Sequence, residues 1–76
     1  MRDADAAQVR FGRRARELRR ARGFSQERLA HESGLHPTYL AGIESGKRNP
    51  TLNVIERIAE GLAIHVSELF PKPHEG

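Results

Sequence analysis

The chain has 76 residues, with 13 lysines and arginines against 10 aspartates and glutamates, and no cysteine. This length allows a single domain with a small core, which no disulfide can support. The lack of cysteine agrees with a reducing compartment. No apolar run is long enough for a signal peptide or a membrane helix, so we expect a cytoplasmic protein without a membrane partner.

The positive charges are concentrated in one segment. Between Arg10 and Arg22 there are seven arginines and one acidic residue, Glu17, whereas the charges nearly balance downstream. A basic segment of this kind indicates a polyanionic partner, for which nucleic acid is the first candidate. The alternative is an arginine-rich helix face that is merely solvated.

Helical periodicity begins after a lead-in, residues 1–7, that shows no strong pattern. The first helix is predicted from about Gln8 to Arg22, and Gly23 ends it. Its inward stripe consists of Phe11, Ala15 and Leu18, and its opposite face carries Arg13, Arg16 and Arg20.

Residues 24–46 predict two short helices separated by a tight turn. Ser25 is a favourable N-cap for a helix from Gln26 to Ser33, and Gly34 lets the chain reverse. Pro37 suits the first turn of the next helix, from about Pro37 to Ser45. Two helices joined by a glycine turn within about twenty residues form the helix-turn-helix pattern. The alternative is an ordinary helical hairpin.

A fourth helix, capped by Thr51, is predicted after the turn at residues 46–50. Its apolar stripe comprises Leu52, Ile55, Ile58, Ala59 and Leu62. A short fifth helix is predicted near Val66 to Phe70, where Pro71 stops it. We therefore expect an all-α fold of five helices in one domain, residues 1–70, followed by a flexible C-terminal tail, residues 71–76.

Three segments in succession carry a family resemblance: SQERLAHESG, TYLAGIESGKRNPTL and IERIAEGLAIHVSELF. They cover nearly the whole chain and resemble the XRE family, the lambda-repressor-like helix-turn-helix regulators. The resemblance implies a five-helix domain that binds double-stranded DNA sequence-specifically and regulates transcription as a homodimer in the bacterial nucleoid. Two positions depart from the pattern. Ala63 stands where the family commonly has glycine, and His65 where serine or proline often opens the fifth helix.

The outer face of the third helix carries small residues at i, i+3, i+4 and i+7, namely Thr38, Ala41, Gly42 and Ser45. A glycine here is explained either by close approach of another group to the backbone or by packing against another helix. The resemblance implies that Pro37, Thr38 and Gly42 meet base edges, with His36 and Tyr39 at the rim. None of the three residues can form a bidentate bond to a base, so we expect DNA shape to contribute to specificity.

Contacts to DNA phosphates are expected on both sides of this helix. Gln26 begins the preceding helix beside its free backbone N–H groups. The turn that follows offers Ser45, Lys47, Arg48 and Asn49, and the first helix offers Arg10, Arg13 and Arg14.

Two further groups of residues are expected to be structural. The resemblance implies an ion pair between Arg19 and Glu44 that fixes the first helix to the third. An excess of apolar residues near the C-terminal end predicts a dimer interface made of Leu62, Ile64, Val66 and Leu69. At least one of Leu69 and Phe70 is expected to pack on Phe11 and Leu18 instead. Two-fold pairing would set the recognition helices about 34 Å apart, matching a palindromic operator.

Among relatives, a chain of this length resembles the controller proteins of restriction–modification systems. An antitoxin or a phage-type repressor of the same fold, or a protein-interaction module that has lost DNA binding, are the alternatives. Catalysis is not expected, because there is no cysteine nucleophile and no glycine-rich phosphate loop. The four histidines show no ligand spacing, so we expect no metal, cofactor or small-molecule ligand.

Overall fold

The computed structural model describes the backbone of residues 2–71 and the side chains of residues 7–71. It contains four α-helices and one 3₁₀ helix: α1, Arg2–Ala21; α2, Gln26–Ser33; α3, Pro37–Glu44; α4, Leu52–Leu62; and the 3₁₀ helix, Val66–Leu69. No strand occurs in this part of the chain. The all-α prediction is confirmed, except that the fifth helix is a single 3₁₀ segment. The predicted tail lies outside the described residues beyond Pro71.

Helix α1 begins at Arg2, so the predicted lead-in over residues 1–7 is wrong for all of it except Met1, which is outside the described residues. The segment includes Ala4, Ala6 and Ala7. Alanine has the highest helix propensity, and it needs no apolar periodicity to extend a helix. Apolar periodicity alone therefore does not predict this N-terminal extension of α1.

The remaining helices begin at side-chain caps. The Ser25 hydroxyl accepts from the backbone N–H of Arg28 at 3.0 Å, and the Thr51 hydroxyl accepts from that of Val54 at 3.2 Å. Helix α3 and the 3₁₀ helix are capped by histidines, His36 and His65, whose Nδ1 atoms accept from backbone N–H groups two residues later. Local side-chain chemistry thus fixes where each element starts.

A core of aliphatic side chains, alanines and one phenylalanine holds the helices together, with α2 packed on α4 and α3 on α1. The buried apolar residues are Phe11, Ala15, Leu29, Ala30, Leu40, Ile43, Ile58, Ala59, Leu62 and Leu69. The predicted stripe of α4 is wrong at its first member, because Leu52 is 82% exposed. The buried part of α4 begins only at Ile58, and Ile55 is half-buried.

Two glycines allow the helices to approach closely. A β-carbon at Gly12 of α1 would lie 2.8 Å from the carbonyl oxygen of Glu44 and closer still to that of Ile43. A β-carbon at Gly61 of α4 would meet the Ser33 hydroxyl of α2. Substituting either glycine would force its helix away from its neighbour, which would move α3 or α2.

The corner between α4 and the 3₁₀ helix is formed by Ala63, which has φ 58° and ψ 43°. These angles lie in the left-handed region, which alanine occupies only with strain. This is the position at which the family pattern commonly has glycine, so the departure noted in the sequence has a conformational consequence.

Candidate nucleic-acid interface

Helix α3 has one side packed in the core and one side facing outward. Leu40, Ile43 and Glu44 are buried, and they fix the helix against α1 and α2. The predicted base-facing and rim residues are all exposed or half-buried: His36, Pro37 and Thr38 are exposed, and Tyr39, Ala41 and Gly42 are half-buried. The outward side is narrow at Thr38, Ala41 and Gly42, whose side chains are small, and a helix that enters a major groove needs such a surface.

His36 has a role that the sequence did not reveal. Its Nδ1 accepts a hydrogen bond from the backbone N–H of Thr38 at 3.2 Å, so the ring is tied to the first turn of α3. Thr38 is thereby placed at the start of α3, where it is exposed.

The group that lies against Gly42 is the side chain of Arg48. A β-carbon on Gly42 would stand 2.6 Å from Arg48 Cγ, so the arginine crosses α3 at this glycine. Its guanidinium then lies 5.9 Å from the centre of the Tyr39 ring, within cation–π range. Of the two explanations for Gly42, close approach is correct and packing against another helix is not. Arg48 is held along the outward side of α3.

Three hydrogen bonds of the turn after α3 converge on one carbonyl group. The oxygen of Gly42 accepts from the backbone N–H groups of Lys47 at 2.9 Å and Arg48 at 3.1 Å, and from the Ser45 hydroxyl at 3.1 Å. Ser45, Lys47, Arg48 and Asn49, the predicted phosphate-contacting residues of this turn, are all exposed. The charges of Lys47 and Arg48 are therefore presented by an ordered turn beside α3.

A buried carboxylate joins the helices of the motif. Arg19 donates to both oxygens of Glu44, from Nε at 2.7 Å and from its terminal nitrogen at 3.0 Å, and it also donates to the carbonyl of Phe24 at 2.8 Å. The Glu44 side chain is 0% exposed and that of Arg19 is 9% exposed. Since α1, α3 and the start of α2 meet at this carboxylate, the pair orients the recognition helix.

Gln26 belongs to the same cluster. Its side-chain nitrogen donates to Glu44 Oε1 at 3.0 Å. One N–H of the amide group is therefore engaged with a carboxylate, and the phosphate clamp stays a prediction. The second N–H of the Gln26 amide and the backbone N–H groups of Gln26 and Glu27, which have no partner within the helix, remain for an anion.

Four of the seven arginines from Arg10 to Arg22, the last of which follows α1, have partners within the chain. Arg14 donates to the carbonyl of Glu68 at 2.8 Å, Arg16 lies 3.6 Å from Glu44, and Arg22 donates to the carbonyl of Leu62. With Arg19, these account for four of the seven, and the prediction that Arg16 lies on the opposite face is wrong. Arg10, Arg13 and Arg20 are exposed, and so is Arg22 despite its bond to Leu62. Arg16 and Arg19 lie at i and i+3, on the same side of α1. This spacing in the sequence could have predicted that both arginines approach Glu44.

The four residues predicted to form the dimer interface differ in how deeply they are buried. Leu62 is 0% exposed and Leu69 is 1% exposed, so neither can contact a second chain, and their assignment to the interface is wrong. Both fill the core between α4 and the 3₁₀ helix. Ile64 and Val66 are half-buried and stay available. The ring centre of Phe70 lies 5.4 Å from that of Phe11, but Phe70 is 55% exposed. Of Leu69 and Phe70, therefore, only Leu69 belongs to the core.

The described residues contain no group of three or more histidine, cysteine, aspartate or glutamate side chains placed to hold a metal ion. Among the same residues, no helix has both the length and the apolar character needed to cross a bilayer.

The chain is similar to several known proteins over most of its length. Residues 16–69 match the helix-turn-helix family. The control protein C.MunI of a Mycoplasma species is 44% identical over 63 residues, which cover 82% of this chain and 85% of that protein. The control protein C.BamHI of Bacillus amyloliquefaciens is 42% identical over 61 residues, covering 79% and 75%.

The crystal structure of the restriction-modification controller protein C.AhdI from Aeromonas hydrophila superposes with a TM-score of 0.84 at 51% sequence identity. The match covers 86% of this chain and 98% of that one. The expected family is therefore confirmed at the level of both sequence and fold. The chain belongs to the XRE-type helix-turn-helix family of transcriptional regulators.

Proposed function

We propose that this protein is a sequence-specific, double-stranded-DNA-binding regulator that acts as a homodimer in the cytoplasm and controls the transcription of a restriction–modification system. The observation that carries the proposal is the surface around α3. Thr38 and Tyr39 lie on its outward side, and the ordered turn beside it presents Lys47 and Arg48. A narrow helix surface flanked by cations is suited to a major groove and its phosphates.

The restriction–modification subclass is supported by relatives of comparable length. The control proteins C.MunI and C.BamHI and the controller C.AhdI are each matched over three quarters or more of their own chains. An immunity repressor of Bacillus phage phi105 is 38% identical, but the match covers 40% of that protein. The similarity to the controller proteins thus extends over most of their length. The similarity to the phage repressor covers only part of that protein.

The homodimer is supported by the geometry of DNA reading. A single α3 of eight residues reaches only a few base pairs, whereas two recognition helices related by a two-fold axis read two half-sites about 34 Å apart. We expect the operator to be palindromic for this reason.

Two substitutions on the proposed DNA surface test the function. The probe is a duplex selected from a random pool by the unmodified protein, compared with a scrambled duplex of the same composition. Thr38→Ala should narrow the affinity ratio between the two duplexes, because base contacts determine specificity. Arg48→Ala should weaken binding to both duplexes by similar factors, because phosphate contacts are independent of sequence.

Thermal unfolding of both variants provides the control, since both side chains are exposed and neither change should unfold the domain. A ratio that Thr38→Ala leaves intact would show that α3 does not lie in the groove. Failure of the unmodified protein to enrich any duplex would exclude DNA as its partner.

A further inference from the structure

Leu52 is an apolar side chain in solvent. It is 82% exposed, against 55% for Phe70 and 40% for Val9, the other exposed large apolar residues of the described part of the chain. It is the first residue of α4, before the buried part of that helix, so it contributes little to the core. Phe70, by contrast, already stacks on Phe11 at 5.4 Å.

The side of α4 that carries Leu52 leads to a pocket. Leu52, Glu56 and Ala59 lie at i, i+4 and i+7 and so follow one side of the helix. The pocket has a volume of about 230 Å³ and is lined by Glu56, Ala59, Glu60, Ile64, His65 and Val66. Small-molecule sites usually occupy roughly 300–1,000 Å³. This smaller, partly aliphatic pocket is better suited to one apolar side chain.

We propose that Leu52 of one chain inserts into this pocket on a second copy, so that a dimer contains two identical contacts. In a two-fold interface, residue i of one chain meets residue j of the other and j meets i, so one surface must carry both complementary parts. The outer side of α4 meets this requirement, with an apolar projection at its start and a pocket at its end. The inference rests on the homodimer proposed above and adds the contact that forms it.

The N-terminal end of α4 and the receiving pocket also carry opposite charges. The first turn of α4 contains no acidic residue, so its N-terminal end carries the unneutralised positive end of the helix dipole. Glu56 and Glu60 line the receiving pocket. Insertion of Leu52 brings the N-terminal end of one α4 beside these two carboxylates of the other chain.

Paired cysteine substitutions test this contact directly, because the chain has no cysteine of its own. Leu52→Cys and Val66→Cys are prepared separately, mixed and exposed to mild oxidant, and the disulfide-linked dimer is measured under non-reducing conditions. We expect the mixture to cross-link at least tenfold faster than either variant alone. Both changes are compatible with folding, since Leu52 is exposed and cysteine is apolar at the half-buried Val66.

Equally rapid cross-linking of Leu52→Cys alone would overturn the proposal, because it would place two copies of residue 52 together on the two-fold axis. If the mixture cross-links slowly while sedimentation equilibrium shows a dimer, the interface lies elsewhere and the proposed function is unaffected. A strict monomer that still binds the selected duplex would overturn both the contact and the homodimer, but not DNA binding.

A second measurement compares dimer dissociation constants. Leu52→Asp should raise the constant at least tenfold, whereas Phe70→Ala, a change at the other strongly exposed apolar residue, should leave it within about twofold. The reverse order would assign the interface to the Phe70 surface and reject the pocket.

Discussion

At the residue scale, the left-handed conformation of Ala63 destabilises the folded domain, and a substitution by glycine can remove this strain. Its left-handed φ of 58° is unfavourable for a residue with a β-carbon by about 1–2 kcal/mol, and glycine has no such penalty. Glycine loses more entropy on folding, by roughly 0.5–1 kcal/mol, which offsets part of the gain. Ala63→Gly should therefore stabilise the domain by up to about 1 kcal/mol, measured as a rise in the melting temperature of roughly 4–8 °C per kcal/mol.

The matched control for Ala63→Gly is the same substitution at an exposed alanine in a helix. Ala7→Gly in α1 should destabilise the domain, by at most about 1 kcal/mol. If both changes lowered the melting temperature, the left-handed corner would not be strained.

Gly42 is the residue at which stability and DNA binding are expected to change separately. Alanine there would favour α3 by up to about 1 kcal/mol, and the atom it meets, Arg48 Cγ at 2.6 Å, belongs to a side chain that can move. Gly42→Ala should keep or raise the melting temperature, yet weaken DNA binding, because Arg48 is displaced from the outward side of α3. Thermal unfolding and duplex binding measured on one preparation check both parts.

Gly12→Ala is the opposite case. Its β-carbon would meet the backbone carbonyls of Ile43 and Glu44, which cannot move without moving α3. We expect a loss of about 1–3 kcal/mol in the free energy of unfolding. Equal behaviour of the Gly12 and Gly42 variants would contradict the distinction drawn here between backbone and side-chain neighbours.

At the scale of the elements, the buried carboxylate of Glu44 is what ties α3 to the rest of the motif. Glu44→Ala would leave Arg19 with its carbonyl bond to Phe24 but without its charge partner. Breaking a buried pair in this way typically costs about 3–5 kcal/mol. The melting temperature and the DNA affinity should both fall, because orientation and stability depend on the same group.

An exposed ion pair provides the comparison for Glu44→Ala. Arg28 and Glu32 lie 2.9 Å apart on α2, with side-chain exposures of 56% and 39%. Glu32→Ala should change stability by less than about 1 kcal/mol and leave DNA binding unchanged. Loss of affinity in Glu44→Ala with unchanged melting would instead mean that Glu44 contacts the DNA or its hydration directly.

The elements also show which features the sequence could predict. Caps and glycine turns are local, so Ser25, Gly34 and Thr51 located the starts and ends of helices within a residue or two. Contacts between distant residues were not accessible in this way. Nothing local indicates that Gln26 donates to Glu44, that Arg22 caps the end of α4, or that Arg48 crosses Gly42.

Burial was the other property that periodicity could not decide. Leu52 fits the helical period of α4 as well as Ile58 does, but it precedes the segment that the core covers. Leu62 and Leu69 were assigned to an interface because a small domain has limited room inside, and both proved to be core. Whether an apolar residue faces the core or a partner depends on the packing of other helices, which a single segment does not encode.

At the scale of the whole molecule, the partners of the seven arginines from Arg10 to Arg22 determine how strongly binding should depend on salt. Four of the seven are bonded within the chain, so the total of 13 lysines and arginines overstates the charge available to DNA. If Arg13, Lys47 and Arg48 each meet a phosphate, a dimer makes six such contacts. At roughly −0.9 per contact, the slope of log affinity against log salt should be about −5.

Two variants distinguish a cation of the turn after α3 from an arginine that is paired within the chain. Lys47→Ala removes one exposed charge from each chain, and therefore two from a dimer, so the slope should become less steep by about 2. Arg22→Ala also removes one positive charge per chain, but its guanidinium donates to the carbonyl of Leu62 and lies 5.0 Å from the centre of the Phe24 ring. Arg22→Ala should therefore lower the melting temperature and leave the slope of log affinity against log salt unchanged. If both variants changed the slope equally, the salt dependence would reflect net charge alone, and the phosphate contacts assigned to the turn after α3 would be wrong.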